Sequence, residues 1–92
     1  MPKFVIEREL PGLGTMSAGE LYETSCTSNQ VLAEMAPTVQ WLHSYVTNDK
    51  MYCVYVAVDE AAVREHARRG GFPADAVSQV ITVIDPTTGE AS

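Results

Sequence analysis

The chain has 92 residues, 46% of them hydrophobic, and carries six Lys and Arg against twelve Asp and Glu for a net charge of -6. That length suits one domain with an adequate but not generous core. The acidic balance argues against nonspecific nucleic-acid binding and against anionic membrane surfaces, and no apolar run approaches the length of a membrane span. Met1-Pro2-Lys3 runs straight into a strand pattern, which predicts no secretory leader and a cytoplasmic protein. Cys26 and Cys53 lie far apart in sequence, each inside an apolar segment and in no metal-knuckle spacing. They read as two buried, reduced thiols.

Lys3 to Glu9 alternates Phe4, Ile6 and Arg8 against Val5, Glu7 and Glu9, the period of a strand. Pro11-Gly12-Leu13-Gly14 is a turn-rich loop. Ser17 with Glu20 three residues on makes a capping box for a helix from about Ala18 to Ala36, stopped by Pro37. The apolar stripe of this helix is Leu21, Ser25, Ser28, Leu32 and Met35, thin in its middle. Serines there permit close helix–sheet approach or line a cavity, and close approach is the commoner cause in densely packed interiors.

Val39 to Ala57 reads as a β-hairpin. Asn48-Asp49 supplies the turn, because both residue types tolerate the left-handed backbone of two-residue loops. A two-residue turn pairs Thr47 with Lys50, Tyr45 with Tyr52, His43 with Val54 and Trp41 with Val56. Side chains alternate faces, so Trp41, His43, Tyr45, Tyr52, Val54 and Val56 share one face. Leu42, Ser44, Val46, Met51, Cys53 and Tyr55 share the other. Asp59 then caps a second helix from Glu60 to about Arg69, stopped by Gly70-Gly71, with Ala62 or Val63, His66, Ala67 and Gly70 facing inward. Ser78 to Asp85 is the last strand, and residues 86–92 form a polar tail after a domain spanning residues 1–85.

The order β-α-β-β-α-β is the split pattern of ferredoxin-like α+β domains, a four-stranded antiparallel sheet with two helices on one face. Two helices cover one face only. Both hairpin faces are substantially apolar, so a second copy is expected on the other, in a dimeric α/β-barrel type of assembly.

Candidate chemistry gathers on the hairpin. Glu7, Trp41, His43, Tyr45 and Tyr52 make a candidate ligand pocket if Glu7 shares the aromatic face. A carboxylate in an aromatic setting has a raised pKa and serves as acid or base; alternatively Glu7 pairs with Arg8 or Lys50 at a rim. His43, His66 and Glu7 are the candidate metal ligands, since a first-row divalent ion wants imidazole with carboxylate or thiolate. No two of these sit at a chelating local spacing, so the fold or a dimer must assemble them. The structural alternatives are a half-buried His43 in an aromatic cluster and a His66 packed on the sheet. Arg64, Arg68 and Arg69 beside Gly70-Gly71 read as a solvated helix face rather than an anion site.

The opening MPKFVIEREL with PGLG, the YCVYVA strand and the closing EHARRGGFPADAV resemble a family of small bacterial ferredoxin-like domains of unknown function, over nearly the full chain. One branch of that family is similar to small dimeric nickel-binding proteins of actinobacteria. The resemblance implies the fold, the dimer, and nickel or another divalent transition metal as cofactor. In that branch a histidine stands late in the first strand and two near the end of the second helix. Here Arg8 or Glu7 takes the first place, His66 matches the earlier helix histidine, Gly70 stands at the later one, and His43 falls where the branch tends to have arginine. The reading is therefore a small homodimeric binding protein for a divalent metal or small ligand. The alternative is a cofactor-free dimeric α/β-barrel enzyme, isomerase or monooxygenase-like, in which His43 or Glu7 moves a proton on a small apolar substrate.

Overall fold

The alternation read in the first segment builds the central strand of the molecule. In β1 (Lys3–Glu9), Phe4, Ile6 and Arg8 are buried, while Val5 and Glu7 are half-buried on the opposite face. The structure is a computed structural model and describes residues 1–90; Ala91 and Ser92, the end of the expected tail, lie outside the described residues. After β1 come α1 (Ala18–Met35), β2 (Val39–Val46), β3 (Lys50–Ala57), α2 (Glu60–Gly70) and β4 (Ala76–Gln79). The strands form one four-stranded antiparallel sheet in the order β2-β3-β1-β4. This is the ferredoxin-like α+β arrangement, with both helices on the face that carries Phe4, Ile6, Cys53, Tyr55 and Ala57.

The helix ends follow their signals. Ser17 Oγ accepts from the Glu20 N–H at 3.1 Å, and Glu20 Oε1 accepts from the Ser17 N–H at 3.0 Å, completing the capping box. Asp59 caps α2 by accepting from the Ala62 N–H at 2.8 Å, and Gly71 ends it at φ 72°. The inward residues of α2 are Val63, His66 and Ala67. The buried residues of α1 are Ser28, Val31 and Met35.

Three details depart from the sequence reading. The hairpin pairs Tyr45 with Tyr52 and His43 with Val54 as expected, but Trp41 sits opposite Tyr55 rather than Val56. A β-bulge between Trp41 and His43 absorbs Leu42 and flips everything on its far side. Trp41 therefore belongs with Ser44, Cys53 and Tyr55 on the helix face. Second, the turn uses no left-handed residue, since no non-glycine residue has positive φ among the described residues. Thr47 closes it instead: its hydroxyl donates to the Lys50 carbonyl at 2.7 Å and accepts from the Lys50 N–H at 3.0 Å.

Third, β4 spans Ala76–Gln79, not Ser78 to Asp85. Val80 N–H donates to the Lys3 carbonyl at 2.8 Å. The next residue along β1, Pro2, has no N–H to offer, and its carbonyl accepts from Ala57. The following segment projects as an arm with Ile81 88%, Val83 69% and Ile84 75% exposed. The radius of gyration is accordingly 14.5 Å, against roughly 12 Å for a compact chain of this length.

The loop after β1 is tied to the hairpin turn. Leu10 N–H donates to Asp49 O and Gly14 N–H to Asn48 O, both at 2.8 Å. The turn backbone lies so close that a Cβ on Gly14 would meet the Asn48 Cα at 2.8 Å. Gly14→Ala is therefore expected to lower stability by about 1–3 kcal/mol through overpacking, measured by urea unfolding. An unchanged midpoint would show that the loop does not clasp the turn.

Candidate functional site

The thin middle of the α1 stripe does not draw helix and sheet together. Ser25 and Ser28 line a cavity of about 190 Å³ between α1 and the sheet, with Leu21, Trp41, Val46, Met51 and Phe72 among its walls. Of the two consequences open to small residues at these positions, the cavity is the one realised. The cause is local: the flanking Val31 and Met35 fill the gap at one end of α1, and the serines leave it open further along. Leu10, brought over by the loop clasp, and Val46 also border it.

The chemistry of the cavity comes from β1 and β3. Alternation places Arg8 on the same face as Phe4 and Ile6, and its residue is only 3% exposed. The guanidinium donates to Tyr55 Oη at 3.2 Å, to Cys53 Sγ at 3.5 Å and to the Pro73 carbonyl. Phe72 stacks on it, with the ring centroid 5.5 Å from Cζ. No carboxylate is among these acceptors, and none of the ion pairs among the described residues includes Arg8. Burial pushes the Tyr55 phenol up to about 12, against the opposing pull of the Arg8 charge, so it is a neutral hydroxyl.

His66 continues this polar floor. It is fully buried, and its Nε2 lies 3.1 Å from Ser28 Oγ. Its ring centroid stands 5.2 Å from that of Tyr55 and 5.9 Å from that of Phe72. Nδ1 has no hydrogen-bond partner. Burial first, and then the Arg8 charge, push the imidazole below its usual range. Gly70 matters beside it: a Cβ there would collide with the Phe72 ring, so Phe72 occupies the space a side chain at Gly70 would need.

The residues singled out from sequence separate into two groups. Glu7, His43, Tyr45 and Tyr52 lie together on the face of the sheet that carries no helix: Glu7 pairs with Tyr52, Tyr52 with Tyr45, and His43 with Val54. His43 and Tyr45 are exposed and meet edge-on, with centroids 5.1 Å apart. Glu7 takes the rim alternative, 4.0 Å from Lys50 Nζ, which also approaches Glu9 at 3.8 Å. Trp41 is moved to the other face by the bulge and lines the cavity, where its Nε1–H donates to Ser44 Oγ at 2.9 Å. His66 also lies on the helix side, so the set His43, His66 and Glu7 is not brought together within one subunit. Among the described residues no three His, Cys, Asp or Glu side chains come together as a metal would need.

Arg64, Arg68 and Arg69 are engaged by their own helix. Arg64 pairs with Glu60 at 2.8 Å, and Arg68 and Arg69 share Glu65 at 2.7 Å each. Arg68, then Arg69, hold the Glu65 carboxyl down at about 2. Cys26 and Cys53 are both free, but only Cys53 is buried as expected; Cys26 is half-buried. No helix among the described residues is long and apolar enough to cross a membrane. The residues that sequence reasoning missed are Arg8, Ser28 and Tyr55 as a connected group. The alternation of β1 was the available signal, because it put an arginine in register with two core residues.

His66 carries a pH dependence of stability. Its folded pKa lies below the unfolded value of about 6.5, so the unfolded chain binds the extra proton. Stability from this group is fully present above pH ~6.5 and falls as pH drops below it. Unfolding midpoints in urea at pH 7.5 and 5.5 are expected to show this loss in wild type and a flatter profile in His66→Gln. Equal slopes in the two proteins would place the imidazole in water.

A crystal structure of SCO4226 from Streptomyces coelicolor A3(2) superposes with a TM-score of 0.75 at 16% identity, covering 89% of this chain and 99% of that one. At that identity the likeness carries the fold alone. No curated protein matches the chain. A family model described as nickel responsive protein SCO4226-like matches residues 4–80, from the second residue of β1 to just past the end of β4. The chain belongs to the SCO4226-like family of nickel responsive proteins.

Proposed function

We propose that the protein is a small homodimeric binding protein whose ligand seat is the cavity between α1 and the sheet. The cavity itself carries this reading. An apolar space of about 190 Å³ exceeds the roughly 150 Å³ that admits a benzene ring, and falls short of the ~300 Å³ at which drug-sized sites begin. The arrangement suits binding better than reaction. The residues expected to move a proton, His43 and Glu7, lie on the opposite face of the sheet from the cavity. His66 is beside the floor but not among the residues that line it.

The dimer rests on two features. The face bearing Val5, Tyr52, Val54 and Val56 has no helix over it and leaves Tyr45 59% exposed. The arm past the end of β4 bares Ile81 and Val83, an apolar surface that proteins ordinarily cover. A second copy supplies both a cover for the sheet and a partner for the arm.

The family's nickel reading takes a different form here. A nickel ion does not fit the His66 region: the imidazole has the Arg8 cation beside it, and Phe72 fills the space at Gly70. His43 and Glu7 share the open face, so two copies offer two imidazoles and two carboxylates between subunits, a donor set that suits a borderline divalent ion. In calorimetric titration with nickel, His43→Ala is expected to abolish binding and His66→Ala to leave it unchanged. The reverse would return the metal to the helix side.

Native mass spectrometry of untagged protein reports the assembly and its contents together. Expected is a dimer of the 10.0 kDa chain with a small organic mass retained, and loss of that mass in Ser25→Leu, which fills the cavity. Ile81→Asp with Val83→Asp is expected to yield a folded monomer, since neither side chain packs within its own subunit. A wild-type monomer, or an adduct that survives Ser25→Leu, contradicts the reading.

A further inference from the structure

We propose that the cavity selects a small monocarboxylic acid, one ring or a short chain in size, and holds its carboxylate on the Arg8 guanidinium. The proposal rests on the cavity being the ligand seat and names the chemistry of what sits there.

Arg8 carries a charge that no side chain balances. A buried guanidinium is expensive unless an anion accompanies it. Arg8 is 3% exposed, and its partners are a phenol, a thiol and a peptide carbonyl. The carboxylates elsewhere in this acidic chain do not reach it: Glu7 and Glu9 turn to Lys50, and Glu60 and Glu65 to the α2 arginines. A guanidinium has five N–H donors in a planar fork, of which three bonds are accounted for. The remaining donors belong to a side chain that lines the cavity.

Shape and polarity narrow the class. The walls contributed by Leu10, Leu21, Val46 and Met51 are apolar, with Trp41 and Phe72 as flat aromatic surfaces. The one charged group is on the floor, where Arg8 meets Tyr55, and the hydroxyls of Thr24, Ser25, Ser28 and Ser44 are the other polar groups of the lining. A ligand that satisfies both regions has one anionic end and an apolar body. Inorganic phosphate satisfies only the floor. An amine is repelled by Arg8, and a neutral amide leaves the charge unpaired. Arginine recognises carboxylate by two parallel hydrogen bonds, roughly twice the strength of a neutral pair. Phe72 stacked on the guanidinium at 5.5 Å holds the plane of the fork.

Trp41 is the sole tryptophan of the chain and lines the cavity, so its fluorescence reports occupancy directly. The titrants are benzoate, benzamide, benzylamine and inorganic phosphate, added to the wild-type protein at neutral pH. Benzoate is expected to bind at least about tenfold tighter than benzamide, with phosphate and benzylamine weaker still. Arg8→Gln is expected to lower benzoate affinity by about tenfold or more and to leave benzamide within about threefold. Should that variant fail to fold, the Arg8 Nε–H resonance of wild-type protein serves instead: benzoate shifts it and benzamide does not. Benzamide or phosphate binding as tightly as benzoate, or an unmoved Arg8 resonance at saturation, overturns the carboxylate assignment while leaving the cavity a ligand seat. Failure of every aromatic titrant to about 10 mM, a free energy weaker than about 3 kcal/mol, overturns both.

Discussion

A single cation sealed between helix and sheet governs this molecule. Arg8 occupies a position that strand alternation gives to the core, between a face of Phe4 and Ile6 and the helix layer above. An aliphatic residue there would simply pack. The guanidinium instead requires acceptors, and much of the surrounding architecture supplies them: Tyr55 from β3, Cys53 beside it, the Pro73 carbonyl from the connector after α2. Phe72 reaches the stack because Gly70 leaves it room. His66 stays neutral partly because this charge stands near it. Ser28 joins the imidazole to the same network from α1. The cavity opens where these polar groups converge, since a wholly apolar helix face would have closed over the sheet.

The fold was readable because each element carries its own signal. Alternation marks β1, a capping box starts α1, Asp59 and the Gly70-Gly71 pair bracket α2, and the hairpin register near the turn follows from a two-residue loop. What could not be read depends on partners distant in sequence. The bulge at Leu42 leaves no mark that pairing rules would detect, yet it carries Trp41 from the aromatic face into the cavity wall. The last strand stops early where Pro2 offers β4 no N–H and turns its carbonyl to Ala57, although Ile81 and Val83 continue its pattern. Ser25 and Ser28 were visible as a gap in a stripe, but only the packing of Val31 and Met35 decides whether such a gap closes. Arg8 was placed on the right face by alternation, and its significance emerges only when no carboxylate proves to pair with it.

Membership of a nickel responsive family sits beside a helix-side pocket that suits an anion better than a cation. The two are compatible if the metal is held on the open face, as proposed, because the pocket then uses the opposite face of the sheet. The side with helices offers a guanidinium, a phenol and an apolar vault. The side without them offers His43, Glu7 and an aromatic surface that a second copy would cover. Strands β1 and β3 contribute alternate residues to both. If a second copy covers the open face as proposed, a change at that contact is carried on the same backbone that positions Arg8 and Tyr55, a short physical route between the two faces.

The most direct measurement of the central claim is a high-resolution crystal structure of untagged protein as purified. The account requires the Arg8 guanidinium inside, on Tyr55 and under Phe72, with carboxylate-bearing density filling the cavity against it. A guanidinium turned out to solvent, with α1 settled onto the sheet and the space between Ser25 and Trp41 closed, would contradict it.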